Sequence, residues 1–283
     1  VGDEQHGDEH DGGFFRPIDP AELGIEQPLA TVDTRVAHPA RIYDYLLGGK
    51  DNFDADRRAA EKVLNAIPRV REEARANREF LRRAVAHLAG QGVDQFLDIG
   101  TGIPTVGPTH EIAQRVNPDA RVVYVDNDPI VLTHARALLA DNGNTHVLQA
   151  DVRDPATILG GAGARKILDF TRPIGLMFIG LWYFIPDDDD PHGLTATYRD
   201  AMPPGSHMLV THVRDAPEIR EAARAYDNAS APAVGRTSTD IAALFGDWDF
   251  ADPGLVPIHE WRPAGGETPS DFLLAGHATK PGI

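Results

Sequence analysis

Phe96-Leu97-Asp98-Ile99-Gly100-Thr101-Gly102-Ile103-Pro104-Thr105 decides how the rest of the chain is read. Residues 95–99 form a short apolar run interrupted by one acid, the pattern of a buried strand. Two glycines follow in a turn, where missing side chains let a ligand lie against the backbone. Helical spacing resumes at about residue 107. A dinucleotide fingerprint would read G-x-G-x-x-G, but Thr105 stands at the third glycine position, so that match fails. What remains is an Asp-x-Gly-x-Gly turn between a strand and a helix.

Working outward, short apolar runs alternate with helical stretches. Strands are expected over residues 121–125, 145–150, 174–181 and 207–213. Helices are expected over 129–141, 191–202 and 217–228. This alternation implies right-handed crossovers and a doubly wound, mostly parallel α/β sheet, Rossmann-like in form. The end differs: a helix over 238–245, a weak strand near 248–251 and a last strand over 272–279 with no helix after it. That ending fits an antiparallel last strand and brings the expected count to a seven-stranded sheet.

Three acids recur at three successive strand ends. Asp98 closes the first strand. In Val122-Val123-Tyr124-Val125-Asp126-Asn127-Asp128-Pro129 two acids compete. Asp128 precedes Pro129 and suits a helix N-cap, which leaves Asp126 to accept hydrogen bonds from ribose hydroxyls. In Gln149-Ala150-Asp151-Val152-Arg153-Asp154-Pro155 the same division makes Asp154 a cap. Asp151 and the Val152 N–H are then free to read an adenine edge. The set points to a nucleoside-containing ligand. The fourth strand leads into Gly180-Leu181-Trp182-Tyr183-Phe184-Ile185-Pro186 and then Asp187 to Asp190. Aromatic residues there can wall a substrate pocket. The aspartates are not spaced as oxygen ligands, so no metal is expected.

Upstream, residues 14–92 read as an irregular arm followed by a helical cap. Helices are expected from Pro39 to the Gly48-Gly49 stop, over 56–66, and from Pro68 to about residue 89. The arginines of this last helix alternate with glutamates and read as a solvated face. Residues 1–13 hold five acids and no Lys or Arg, the composition of a disordered acidic tail. Residues 93–283 form the α/β domain.

These residues resemble a known family. The Asp98–Gly102 turn is similar to the first motif of class I methyltransferases. Pro39-Ala40-Arg41-Ile42-Tyr43-Asp44-Tyr45-Leu46-Leu47-Gly48-Gly49-Lys50-Asp51-Asn52-Phe53 resembles the N-terminal hallmark of an actinobacterial S-adenosyl methyltransferase family, long a domain of unknown function. Ala76-Asn77-Arg78, His110-Glu111, Val123–Pro129, Ile185–Pro191 and Pro253–Pro257 extend the likeness over about residues 33–281. The resemblance implies the class I fold and S-adenosyl-L-methionine as cofactor. It names no methyl acceptor. The one departure is Tyr183, where many members carry His.

On that resemblance the cofactor would meet Asp98, Gly100, Thr101, Gly102, Asp126, Asn127, Asp151, Val152 and Leu181. Tyr43 and Lys50 would reach it from the hallmark helix, acting as a lid, with Arg41 a second candidate for a carboxylate. Tyr183, His212 and His110 are the candidates for catalysis. The expected activity is methyl transfer to a small molecule. The alternatives are a non-catalytic module that binds the cofactor and a NAD-dependent oxidoreductase.

Composition narrows this further. Lys+Arg 27 against Asp+Glu 43 gives a net charge of −16, which argues against a duplex nucleic-acid binder held by phosphate neutralisation. There is no cysteine, hence no disulfide, no thiolate metal site and no cysteine nucleophile. No apolar run spans a membrane and the first residues do not read as a secretory signal. A cytoplasmic protein is expected.

Overall fold

The computed structural model describes residues 32–103, 107–133 and 143–282. The expected acidic tail, Pro104-Thr105 of the glycine turn and the second half of the helix expected over 129–141 lie outside the described residues.

The sheet follows the order β3-β2-β1-β4-β5-β8-β6. Its strands are β1 (Gln95–Ile99), β2 (Arg121–Asp126), β3 (Thr145–Gln149), β4 (Gly175–Ile179), β5 (His207–Val213), β6 (Asp249–Phe250), β7 (Val256–Pro257) and β8 (Leu273–Thr279). β1 to β5 pair in parallel, while β8 lies antiparallel to β5 and to β6. The sheet has eight strands rather than the expected seven, because β7 also pairs with β8. Two residues are too few to show a strand period.

The chain moves outward from β1 through β2 to β3, then returns to the other side of β1 to lay down β4. The order therefore reverses between β1 and β4. In open α/β sheets that reversal leaves a crevice beyond the carboxyl ends of the strands.

Strand residues alternate between two cores. Phe96, Val122, Tyr124 and Met177 face one buried cluster, and Leu97, Val123, Val125, Leu176 and Phe178 face the other. The helices are α1 (Pro39–Leu47), α2 (Asp54–Ala66), α3 (Val70–Gly90), α4 (Thr109–Val116), α5 (Pro155–Leu159), α6 (Pro191–Ala201), α7 (Pro217–Ala223) and α8 (Ser238–Ala243). A further helical run covers 129–133. Phe80, Leu81, Ala84, Val85 and Leu88 of α3 join the first cluster. The long cap helix and the sheet are thus built around a common core.

The hallmark segment folds for local reasons. Pro39 opens α1, and Gly48 ends it at φ 85° in the left-handed region that favours glycine. The next four residues curl back onto Asp44. Its carbonyl accepts from the Gly49 N–H at 2.8 Å, and its carboxylate accepts from the Asp51 N–H at 2.9 Å and the Asn52 amide at 2.8 Å. A side chain at residue 49 would begin 1.9 Å from Asp44 Oδ1. This turn thus needs glycine so that Asp44 can hold it shut.

Candidate active site

At the switch point a cavity of about 110 Å³ opens over the ends of β1, β2, β3 and β4. Asp98, Asp126 and Asp151 all line it, with Gly100, Thr101, Gly102, Asn127, Val152, Leu181, Tyr43 and Tyr183. The turn after β1 folds across β2: the N–H groups of Gly100 and Thr101 donate to the Val125 carbonyl at 2.8 and 3.2 Å. Gly100, at φ 74°, lies close under Leu181, whose Cδ1 would be 2.7 Å from a side chain there. Gly102, at φ 63°, has no atom of the described residues, its chain neighbours aside, within 4 Å of where its Cβ would stand. One glycine is required by packing and the other borders open space in the cavity.

The carboxylates differ in environment. Asp98 is 2% exposed, and its Oδ2 accepts from Thr109 at 2.7 Å and Thr101 at 3.2 Å. Burial pushes its pKa up, against those two hydroxyls. Asp126 accepts from the Gly102 N–H at 2.9 Å and the Asp128 N–H at 3.0 Å, so it shapes the glycine turn. Burial raises its pKa too, while His38 opposes the shift. Asp151 is held below the usual carboxylate range, chiefly by the Arg153 guanidinium that grips it.

A polar rim joins four segments around the opening. His38 Nε2 lies 3.2 Å from Asn127 Oδ1, and the Asn127 amide donates to Asp151 at 3.2 Å. Arg153 then bridges Asp151 to Asp189 at 3.1 Å. Asp128 is the expected N-cap, accepting from the Ile130 N–H at 2.9 Å. It does a second job that local sequence did not reveal. Its Oδ2 sits 3.1 Å from both Arg41 Nε and His38 Nδ1, anchoring α1 to the end of β2. The Arg41 Nε–H does not point at that oxygen, so the contact is an ion pair without a good hydrogen bond.

The inner wall is a continuous hydrogen-bonded chain. Thr211 of β5 donates to Asn77 Oδ1 at 2.8 Å, Asn77 donates to the Tyr43 hydroxyl at 3.3 Å, and Tyr43 donates to the Ala74 carbonyl at 2.9 Å. Asn77 and Arg78 also line the cavity. The signal for both was the Ala76-Asn77-Arg78 motif, which carried no role until α3 was placed beside β5.

Several expected site residues fall elsewhere. Lys50 is exposed and does not line the cavity, because the turn that Asp44 closes carries it to the surface. His110, in the first turn of α4, packs with Nδ1 2.9 Å from the Tyr124 hydroxyl, outside the cavity lining. His212 is fully buried: Nδ1 faces the Val213 carbonyl at 2.8 Å and Nε2 faces Arg236 at 3.0 Å. A guanidinium is only a donor, so Nε2 accepts and Nδ1 carries the proton. Both nitrogens are engaged, which leaves none for a substrate. Tyr183 does line the cavity, but burial pushes its pKa well above the ordinary value. At neutral pH it is a hydroxyl, not a base.

Three of the four aspartates after β4 have structural tasks. Asp187 pairs with Arg236 at 2.6 Å, Asp189 with Arg153, and Asp190 caps α6 by accepting from the Gly193 N–H at 3.0 Å. Among the described residues no group of three or more acids and histidines is placed to hold a metal ion. Arg236, 5% exposed, also donates to the carbonyls of Trp182 and Ile185, each at 2.8 Å. It staples the whole loop and was not signalled by any local motif.

His212 gives a pH prediction. Burial depresses its pKa from 6.5 to about 3. The unfolded chain therefore binds more protons between those values. Stability from keeping His212 neutral is complete above its unfolded pKa and is lost as pH falls toward the folded one. The slope reaches about 1.4 kcal/mol per pH unit. Asp98, Asp126 and Glu73, all raised by burial, act in the opposite sense. The histidine contribution is therefore read as a difference. In denaturant melts from pH 7.5 to 5, wild type should lose about 1–2 kcal/mol relative to His212→Gln. Parallel profiles would show that His212 takes up protons in the folded state.

A doubly wound sheet with an antiparallel last strand, opening at its switch point onto three strand-end acids, has the architecture of the class I methyltransferases. Over residues 25–280 the chain matches the model of the S-adenosyl methyltransferase family. It is 44% identical to a candidate methyltransferase from Thermobifida fusca YX, with TM-score 0.84 over 88% of this chain and 97% of that one. A DUF574 family protein from Streptomyces avermitilis is 41% identical, with TM-score 0.85 over 89% of this chain and 100% of that one. Among curated proteins, an ornithine lipid N-methyltransferase from Singulisphaera acidiphila is 34% identical over 86 residues, 30% of this chain and 43% of that enzyme.

The chain belongs to the S-adenosyl methyltransferase family. It is an S-adenosylmethionine-dependent methyltransferase. Neither alternative, the non-catalytic module nor the NAD-dependent oxidoreductase, gains support from these matches. Among the described residues no helix is long and apolar enough to cross a membrane.

Proposed function

We propose that this methyltransferase acts on a small molecule whose nucleophilic atom needs no protein base, and that the switch-point cavity holds the cofactor by its three strand-end acids. The observation that carries the reading is the convergence of Asp98, Asp126 and Asp151 on one cavity beside an open glycine turn. The residues fit the cofactor. Gly102 leaves room where its Cβ would stand, and the acids lie in the order in which β1, β2 and β3 cross the sheet. In this reading Asp126 takes the ribose hydroxyls, and Asp151 with the Val152 N–H takes the adenine edge. Asp98 and the Gly100–Gly102 turn take the methionyl end.

Held by Asp98, Asp126 and Asp151, S-adenosylmethionine would supply a methyl group activated on a sulfonium for transfer to a nucleophile. The protein's share is orientation and exclusion of water. Tyr183 stays protonated and serves as a hydrogen-bond partner. His212 is locked by Arg236 and Val213. The acceptor atom therefore brings its own lone pair, as a neutral amine does, and its proton leaves to water. The name of the Singulisphaera acidiphila relative, an N-methyltransferase, also favours nitrogen.

A thermal-shift comparison tests the cofactor reading. S-adenosylhomocysteine at 100 times its Kd should add about 2.7 kcal/mol of stability by mass action, and NAD should add none. Stabilisation by NAD alone would overturn the assignment.

A further inference from the structure

Behind the inner wall of the cofactor cavity lies a second cavity of about 100 Å³. Tyr43, Asn77, Tyr183 and Phe184 border both. All of the second lining except Glu73 and Asn77 is aliphatic or aromatic. Val63 of α2 and Ile67 just after it line it together with Ile219 and Ala222 of α7. The helical cap thus borders a partly open apolar cavity at the very place where it meets the sheet. Its size is on the order of cavities known to take a single aromatic ring.

The partition between the cavities is built closely. Gly180, at φ 73°, ends β4, and a side chain there would lie 3.0 Å from the Tyr183 hydroxyl and 3.2 Å from Asn77 Nδ2. Two polar groups therefore converge over the strand tip between the cavities. Residues 230–236 run past both: Ala231 lines the first and Ala233 the second. This strap is pinned by Ser230 N–H to Ala37 O at 2.8 Å and by Val234 N–H to Tyr183 O at 2.7 Å. Glu73 is the one charged group in the second lining. It already accepts from the Ser270 hydroxyl and from the Asp271 N–H at 3.1 Å, so it calls for no cation and opposes an anion.

We propose that the second cavity is the methyl-acceptor site, taking an uncharged, ring-sized apolar group whose amine reaches the cofactor cavity past Tyr43, Asn77 and Tyr183. This rests on the reading that the first cavity holds S-adenosylmethionine. Most of the acceptor's affinity then comes from apolar burial, and the few polar groups at the partition orient it.

Fluorine NMR of 4-fluoroaniline, added to the full chain saturated with S-adenosylhomocysteine, tests this directly. Saturable binding is expected, with 4-fluorobenzoate weaker by about tenfold or more. Ala222→Phe and Ala233→Phe each carry a ring into the cavity, one from α7 and one from the strap. Each should weaken the aniline by about tenfold or more while calorimetric affinity for S-adenosylhomocysteine stays within about twofold. That affinity reports folding, and half-buried Ala233 backs up the more deeply buried Ala222. Three results overturn the proposal: no binding of the aniline, equal binding of the benzoate, or unchanged aniline binding in both variants. Failure of wild type to bind S-adenosylhomocysteine overturns the underlying cofactor reading instead.

Discussion

Asp126→Ala should weaken S-adenosylhomocysteine binding by about 100-fold or more, since each hydrogen bond to a charged acceptor contributes about 1.5–3 kcal/mol and a ribose offers two hydroxyls. A second effect adds to the first. Asp126 is the acceptor for the Gly102 and Asp128 N–H groups, so its loss also loosens the turn that would meet the methionyl end. Titration calorimetry reads the affinity directly. A loss of less than about threefold would move the ribose to another residue.

Asp128→Ala should act on stability instead, and more strongly than a helix cap alone explains. An N-cap contributes about 0.5–2 kcal/mol. Here the same carboxylate also faces Arg41, which is 4% exposed and has Asp56 as its other carboxylate, at 3.7 Å. Removing one partner of a buried pair costs about 3–5 kcal/mol, and Asp56 at 3.7 Å compensates the remaining Arg41 charge only in part. Denaturant melts should show a loss in that range. Replacing both partners, as Arg41→Leu with Asp128→Leu, should cost less than the two single changes added together. A loss below about 1 kcal/mol in Asp128→Ala would mean that the ion pair contributes nothing and only the cap is felt.

The contrast between these neighbouring acids shows how far local sequence reaches. An acid before a proline suits a cap, and Asp128, Asp154 and Asp190 all cap helices, whereas Asp252 before Pro253 stands in a turn. An acid at the end of an apolar run marks a strand tip, and Asp98, Asp126 and Asp151 meet in one cavity. The strands β1 and β5 end at the expected residues because apolar runs bounded by polar turns leave little freedom. What local pattern does not contain is pairing across the fold. Thr211 and Asn77 are 134 residues apart, and Arg236 reaches Asp187, Trp182 and Ile185 across about fifty residues. Neither end of such a bond announces the other. Lys50 misleads for the opposite reason. Its conspicuous Gly-Gly-Lys-Asp-Asn setting is fixed by Asp44 within the same turn, so a motif that looks like a ligand loop is closed on its own helix.

Tyr183 follows the same logic. It stands where the sequence suggests a base, yet the fold buries its hydroxyl and places it over Gly180, at the partition between two cavities. The chemistry then depends on what the two cavities hold.

A crystal structure of the full chain with S-adenosylhomocysteine bound tests the central claim most directly. The account predicts the nucleoside over the ends of β1, β2 and β3, with both ribose hydroxyls on Asp126, adenine at Asp151 and Val152, and the amino-acid end at the Gly100–Gly102 turn. A nucleoside bound elsewhere, or ribose hydroxyls out of hydrogen-bond reach of Asp126, would contradict it.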